Sequence, residues 1–346
     1  MGTFSFGKLV IFGVGLIGGS LARALRERGS VGGARTIVGV GRSIASAERA
    51  RVLGVVDETA ALDDDAQLAS ALAGADFVLL AAPVAQTAPL LARIAPFLDP
   101  STLVTDAGST KGDVVAAARA TLGTRIAQFV PGHPIAGRES SGVEAALPDL
   151  YVGRNVILCP LPENRAGDVA RIEALWRATG AHVRTMPAEQ HDRVLASVSH
   201  LPHLLSFALV EQILGAPDAA LKFSFAAGGF RDFTRIAASS PEMWRDVCLA
   251  NATALRSKRC SHARAKHAPN GRNAALKPRR RGPTATSLRN KQERLWTISI
   301  LDRTRMRGAR FVCPARKVSR TACCFWPRSR KARRRSRICS IRTTPA

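Results

Sequence analysis

The segment Val10-Ile11-Phe12-Gly13-Val14-Gly15-Leu16-Ile17-Gly18-Gly19-Ser20 constrains the fold more than any other stretch of the chain. A short apolar run ends in G-x-G-x-x-G, and an amphipathic helical pattern from Leu16 to Arg28 starts inside the motif. In such a strand-to-helix turn Gly13 allows the tight bend, Gly15 lets backbone approach a pyrophosphate, and Gly18 lets helix pack closely on strand. The first helical residues, Leu16, Ile17 and Gly18, would then offer N–H groups and the positive dipole end to phosphates. A plain strand-to-helix turn uses the same residues. The position of this one, at the start of a repeating pattern, favours a dinucleotide site.

That pattern fills residues 8–130. Strands are predicted at 8–12, 36–40, 77–81, 103–106 and 126–130, with helices at 16–28, 45–53, 67–73, 85–97 and 112–122. Alternation of this kind predicts a doubly wound parallel sheet. From about residue 151 one more strand (155–159) and a helix (166–179) lead into apolar spacing that is helical from 188 to 255. The expected fold class is therefore α/β: an N-terminal Rossmann domain (1–150), then a mainly α-helical domain (151–255), then an irregular basic segment (256–346).

Composition separates that last segment from the rest. The formal charge of +25 would by itself point to an anionic partner such as nucleic acid. Residues 256–346 hold 28 of the 51 Lys and Arg but only Glu293 and Asp302 among acidic groups. The preceding 255 residues carry 23 basic and 24 acidic groups, a near-neutral body. Any nucleic-acid binding is thus expected only through the basic segment. Five of the seven cysteines lie there too, which leaves Cys159 and Cys248, no disulfide framework, and an expected reducing cytoplasm. No N-terminal secretory pattern and no run of about 18 apolar residues is visible, so no membrane span is expected.

Candidate site residues cluster at the ends of late strands and in the helical region. After the second strand come Arg42 and Ser43, where an acidic residue would bind ribose hydroxyls. Arg42 could pair with a 2′-phosphate, which leans the cofactor expectation toward NADP within NAD(P), or be a solvated loop charge. His133, in Gly132-His133-Pro134, follows a strand and suits proton abstraction from a hydroxyl as hydride leaves, or a structural hydrogen bond. His191-Asp192 and Ser199-His200-Leu201-Pro202-His203 form a further cluster. His200 and His203 share a helix face, as a packing pair or as pocket residues; a metal site lacks a third ligand at convincing spacing. Arg235, in Gly229-Phe230-Arg231-Asp232-Phe233-Thr234-Arg235, offers a planar fork for a carboxylate, or an exposed ion pair with Asp232.

Taken together, Gly-Val-Gly-Leu-Ile-Gly-Gly-Ser at 13–20, Asp-Ala-Gly-Ser at 106–109, His-Pro-Ile-Ala-Gly at 133–137, and the motifs at 199–203 and 229–235 resemble the prephenate/arogenate (cyclohexadienyl) dehydrogenases of tyrosine biosynthesis. The resemblance covers roughly residues 7–255. It implies oxidative decarboxylation of prephenate or arogenate with hydride transfer to NAD(P), and a homodimer built by the helical domain. It implies that His133 is catalytic with Ser109 as its hydrogen-bonding companion, that Arg235 holds a substrate carboxylate, and that His200, His203 and Trp244 line the substrate pocket. The alternatives are another NAD(P)-dependent hydroxy-acid dehydrogenase, or a non-catalytic nucleotide- or nucleic-acid-binding protein.

The chain departs from the resemblance at about Arg256. Codons compatible with residues 313–332, read one nucleotide out of frame, give a stretch that resembles the start of 5-enolpyruvylshikimate-3-phosphate synthase, another aromatic-pathway enzyme. The expectation is a frame change near residue 255 in a longer, fused coding sequence. A basic disordered arm is the alternative.

Overall fold

The computed structural model describes residues 4–28, 35–41, 44–138 and 140–257. Arg42, Ser43 and the basic segment from 258 onward lie outside the described residues, so the expectations placed on them are not addressed by the structure.

Six parallel strands form the main sheet: β1 (Lys8–Phe12), β2 (Thr36–Gly41), β3 (Glu58–Ala61), β4 (Phe77–Leu80), β5 (Leu103–Asp106) and β6 (Phe129–Val130). Their order, β3-β2-β1-β4-β5-β6, is that of a doubly wound Rossmann sheet, with its switch point between β1 and β4. Alternate residues of each apolar strand feed opposite cores. Val10, Phe12, Val38, Val40, Val78, Leu80 and Val104 pack on α3 (Asp65–Leu72), α4 (Thr87–Ile94) and α5 (Gly112–Leu122). Leu9, Ile11, Ile37, Phe77, Leu79 and Leu103 pack on α1 (Leu16–Arg28), α2 (Ile44–Val52) and α6 (Ala166–Arg177). Burial on both faces explains the nearly unbroken apolar strands.

The structure departs from the sequence expectations in several places. Strand β3 was not expected: Glu58-Thr59-Ala60-Ala61 has no bulky apolar residue, and as an edge strand it buries only Ala60. The strand expected over 126–130 is reduced to Phe129–Val130, because residues 123–128 form 3₁₀ turns. The long helix expected over 85–97 holds α-geometry only from Thr87 to Ile94, flanked by 3₁₀ turns. Finally, the division at 150/151 falls inside an α/β module. Strands β7 (Gly132–Pro134), β8 (Asn155–Leu158) and β9 (His182–Thr185) form a second sheet, β7 antiparallel and β9 parallel to β8. Trp176 of α6 is fully buried against the Rossmann core, so the helical region begins only at Ala188.

That region consists of α7 (Ala188–Leu195), a π turn (Ala196–His200), α8 (Leu201–Leu214), α9 (Ala219–Ser224), α10 (Gly228–Thr234), α11 (Pro241–Ala250) and α12 (Ala252–Arg256). From Ala188 to Leu214 the helix is continuous, 27 residues long. Pro202 falls in the first turn of α8, and because the π turn runs straight into α8 it also lies inside the 27-residue helix. A proline there removes a backbone donor and crowds the preceding turn, and the π turn just before it makes room. By length and composition this helix could cross a bilayer, contrary to the reading of apolar runs alone. Here its His191 and His200 are fully buried and hydrogen-bonded to the rest of the fold.

The glycine loop separates a packing role from a binding role. A Cβ on Gly18 would lie 2.5 Å from the Gly13 carbonyl oxygen and 2.7 Å from Ile11 Cγ2, whereas one on Gly15 meets nothing within 4 Å. Gly18→Ala is expected to cost roughly 1–3 kcal/mol in chemical denaturation. Gly15→Ala is expected to change stability by less than about 1 kcal/mol but to weaken dinucleotide binding in a fluorescence titration.

Candidate active site

The site is built on a carboxylate at the end of β5. Asp106 is buried and forms an ion pair with the equally buried Lys111. Its Oδ2 also accepts the Gly108 N–H at 2.8 Å, and its Oδ1 accepts the Gly132 N–H at 3.0 Å. One side chain thus holds the loop after β5 and the first residue of β7 together. The next residue along β7 is His133, placed opposite Ile157 of β8.

His133 Nδ1 lies 2.8 Å from His191 Nε2, and His191 Nδ1 lies 2.9 Å from Asp192 Oδ1. The protons along this chain follow from the last member. A carboxylate only accepts, so His191 Nδ1 carries the hydrogen; neutral His191 then has its lone pair on Nε2, and His133 must donate from Nδ1. His133 Nε2 is left with a lone pair. Asp192 is fixed in turn at the N-terminus of α5, where Oδ1 accepts the Lys111 N–H and Oδ2 the Gly112 N–H, both at 2.8 Å. A carboxylate at a helix N-terminus satisfies orphan donors and suits the dipole.

Electrostatics favours the neutral forms of His133, His200 and His203. Burial, then the neighbouring His191, Lys111 and His200, hold the His133 pKa well below its usual value. Burial also lowers His200, to about 4. His203 is lowered by burial, against the opposing pull of the Ser199 carbonyl. Burial pushes Asp192 up, but hydrogen bonds from His191, Gly112 and Lys111 outweigh it and leave the pKa below the usual carboxylate range.

The helical region brings the other expected residues to the same place. His203 stacks on Trp244 with ring centroids 3.5 Å apart, and its Nδ1 meets the Ser199 carbonyl at 2.9 Å. His200 meets the Trp244 ring edge-on at 6.1 Å, so the two histidines do share one face. Arg235, on the exposed turn after α10, is close enough to His203 to depress its pKa. Ser109 is half-buried in the loop after β5; its carbonyl acts on the His200 ring, while its hydroxyl makes no hydrogen bond among the described residues. Asn251, between α11 and α12, donates from Nδ2 to the Asp192 carbonyl at 2.8 Å and lies 2.9 Å from His200 Nδ1.

At the other end of the same sheet edge, the glycine loop is shaped by backbone bonds from Gly13 to the Val40 carbonyl (3.0 Å) and from Gly15 to the Gly13 carbonyl (2.9 Å). Tyr151 Oη donates to the Ile17 carbonyl at 2.6 Å, and Ser20 Oγ accepts the Leu147 N–H at 2.9 Å, so the segment before β8 clamps α1. The open space at Gly15 and the N–H groups of Leu16, Ile17 and Gly18 fit a dinucleotide pyrophosphate.

Sequence reading noted His191-Asp192 without assigning a role, and gave none to Lys111 or Asn251. The Asp106–Lys111 pair left a signal, two opposite charges five residues apart at a strand end. Asn251 left none, since a lone amide in a helical stretch looks like surface.

Comparison with known proteins places these residues in context. The signature of the prephenate dehydrogenase nucleotide-binding domain matches residues 21–185, and that of the prephenate dehydrogenase dimerization domain matches residues 187–268. The two meet where β9 ends and α7 begins. The chain is 40% identical over 245 residues to prephenate dehydrogenase of Bacillus subtilis, covering 70% of this chain and 64% of that protein, less than two thirds of its length. It is 36% identical over 252 residues to cyclohexadienyl dehydrogenase of Zymomonas mobilis, covering 72% of this chain and 83% of that protein. Among solved structures, prephenate dehydrogenase of Aquifex aeolicus, in complex with hydroxyphenyl propionate and NAD+, is similar with a TM-score of 0.67 and 31% identity, covering 94% of this chain and 100% of that one.

The buried neutral histidines set a pH dependence of stability. His133, His200 and His203 have folded pKa values below their unfolded ones, so the unfolded chain binds protons first as pH falls. Their contribution is complete above about pH 6.5 and is lost on acidification toward pH 4; His200 alone accounts for on the order of 3 kcal/mol. Urea midpoints measured between pH 7.5 and 4.5 are expected to fall steadily, and His200→Gln is expected to flatten that fall.

Proposed function

The chain belongs to the prephenate dehydrogenase family, and from that premise we propose that it oxidises and decarboxylates prephenate, or its amino analogue arogenate, in tyrosine biosynthesis. The observation that carries the reading is the chain Asp192–His191–His133, which ends in an unprotonated Nε2 at the sheet edge that also presents the glycine loop.

The substrate bears a hydroxyl and a hydrogen on one ring carbon and a carboxylate on the opposite one. When bound, the nicotinamide supplies the hydride acceptor. His133 Nε2 takes the hydroxyl proton, and Asp192, through His191, holds the ring in the tautomer that can do so and stabilises the resulting imidazolium. Ser109, with its hydroxyl uncommitted, is placed to hydrogen-bond the same substrate oxygen. Arg235 holds a substrate carboxylate, and the stacked His203–Trp244 pair walls the pocket. As hydride leaves, the ring carboxylate departs as carbon dioxide and the ring becomes aromatic. The side chains must therefore bind the substrate without over-stabilising the group that leaves.

The finer assignments belong to the same proposal. Arg42 leans the cofactor choice toward NADP, whereas the Aquifex aeolicus structure holds NAD+. Two copies pair through the helical region, where Val198, Leu205, Leu221 and Phe225 are exposed apolar side chains. The protein works in the cytoplasm, without a membrane. A frame change near residue 255 in a longer, fused coding sequence is part of the same proposal, although the dimerization-domain likeness runs past that point, to residue 268.

Absorbance of the reduced nicotinamide, followed with prephenate and arogenate against NAD and NADP in turn, tests the reading. One substrate is expected to reduce cofactor, and His133→Asn to lower kcat about 10²–10⁴-fold without loss of cofactor binding. Folded, cofactor-binding protein that reduces neither cofactor with either substrate would overturn it. Because His133 is held below its usual pKa, kcat/KM is expected to stay flat down to about pH 6.5 and to fall only below it. Sedimentation is expected to show a dimer, and Phe225→Asp to shift it toward monomer.

A further inference from the structure

Asn251 settles a question that histidine geometry usually leaves open. Its Nδ2 lies 2.8 Å from the main-chain carbonyl of Asp192 and 2.9 Å from His200 Nδ1. A carbonyl oxygen only accepts, so the amide end at this position is the NH₂ group and not the oxygen. Its two hydrogens serve the two neighbours, and His200 Nδ1 must accept. Neutral His200 then carries its hydrogen on Nε2.

That Nε2 is buried and has no hydrogen-bond partner among the described residues. The whole His200 side chain is inaccessible, edge-on to the Trp244 ring and within electrostatic reach of His133; the Ser109 carbonyl beside it favours its protonated form but is too poorly aligned to satisfy that hydrogen. A buried donor left unpaired is costly, and an acceptor arriving with a ligand removes the cost.

We propose that Asn251 is a positioning residue that locks His200 as an Nε2–H donor toward an oxygen of the bound substrate. The inference rests on the dehydrogenase reading above and adds a second, opposite tautomer to it. Asp192 makes His133 an Nε2 acceptor, and Asn251 makes His200 an Nε2 donor. The two are coupled through one residue, because Asn251 holds the main chain of the same Asp192 whose side chain holds His191.

Long-range proton–nitrogen correlation on the full chain, labelled with nitrogen-15 histidine, reads each tautomer without substrate. The His200 signals are identified by their loss in His200→Gln. In the unaltered protein His200 is expected to carry hydrogen on Nε2 and none on Nδ1. Asn251→Asp places a carboxylate against Nδ1 and is expected to move the hydrogen there. It is expected to lower kcat/KM about tenfold, with cofactor affinity unchanged. Hydrogen on Nδ1 of His200 in the unaltered protein would overturn the inference, whatever the folding of the variant. So would a folded Asn251→Asp that moves the hydrogen and keeps full kcat/KM. A protein inactive with either substrate, but with His200 protonated on Nε2, would sink the dehydrogenase reading and the substrate-facing role together, leaving only the tautomer lock.

Discussion

The Asp106–Lys111 ion pair lies where water does not reach, and the geometry of the site depends on it. Two opposite charges taken out of water gain little stability on balance, because desolvation offsets their attraction. This carboxylate compensates by accepting two backbone N–H groups as well as the ammonium. Those bonds join the end of β5 to the start of β7, across the point where the chain leaves one sheet for the other. His133 is the next residue. Its position is set by a strand register and a buried carboxylate rather than by a free loop, and the nearby Lys111 charge also disfavours its protonation.

A second carboxylate ties the helical region to that frame. Asp192 comes from the long helix, yet it caps α5 of the Rossmann part through the Lys111 and Gly112 N–H groups. Its remaining interactions reach His191 through the side chain and Asn251 through the main chain. Docking of the two regions and the proton arrangement of the site therefore share their atoms. A shift of the long helix relative to α5 would loosen both at once, which is how a contact remote from the reacting atoms can alter the chemistry.

Much of this was legible in the residues. The strands that came out as expected, β1, β2, β4 and β5, are short and apolar because both of their faces are covered. Strands β3 and β9 were missed for the opposite reason: Glu58 and His182 lie on edges, where half the residues meet solvent and alternation is weak. His133, Ser109, His200, His203, Trp244 and Arg235 stood out as motif residues, and five of the six are linked by ring contacts or electrostatic coupling. The residues that orient them did not. Asn251 acts through a hydrogen bond to a residue 51 positions away, and no local pattern encodes a contact of that span.

The π turn at Ala196–His200 has a consequence of its own. A π turn carries one residue more than the α-helical turn it replaces, so the side chains after it are rotated by about 100° relative to those before. His191 and Asp192 take their direction from the first half of the helix and His203 from the second, while His200 closes the turn between them. The change of phase between them sets the direction in which His203 faces Trp244 relative to His191 and Asp192. Loss of a single residue in that turn would leave the helix longer in α-form and its hydrogen bonds more regular, while swinging His203 out of its ring contact with Trp244. The irregularity is a phase setting, and a more perfect helix here would be a worse one.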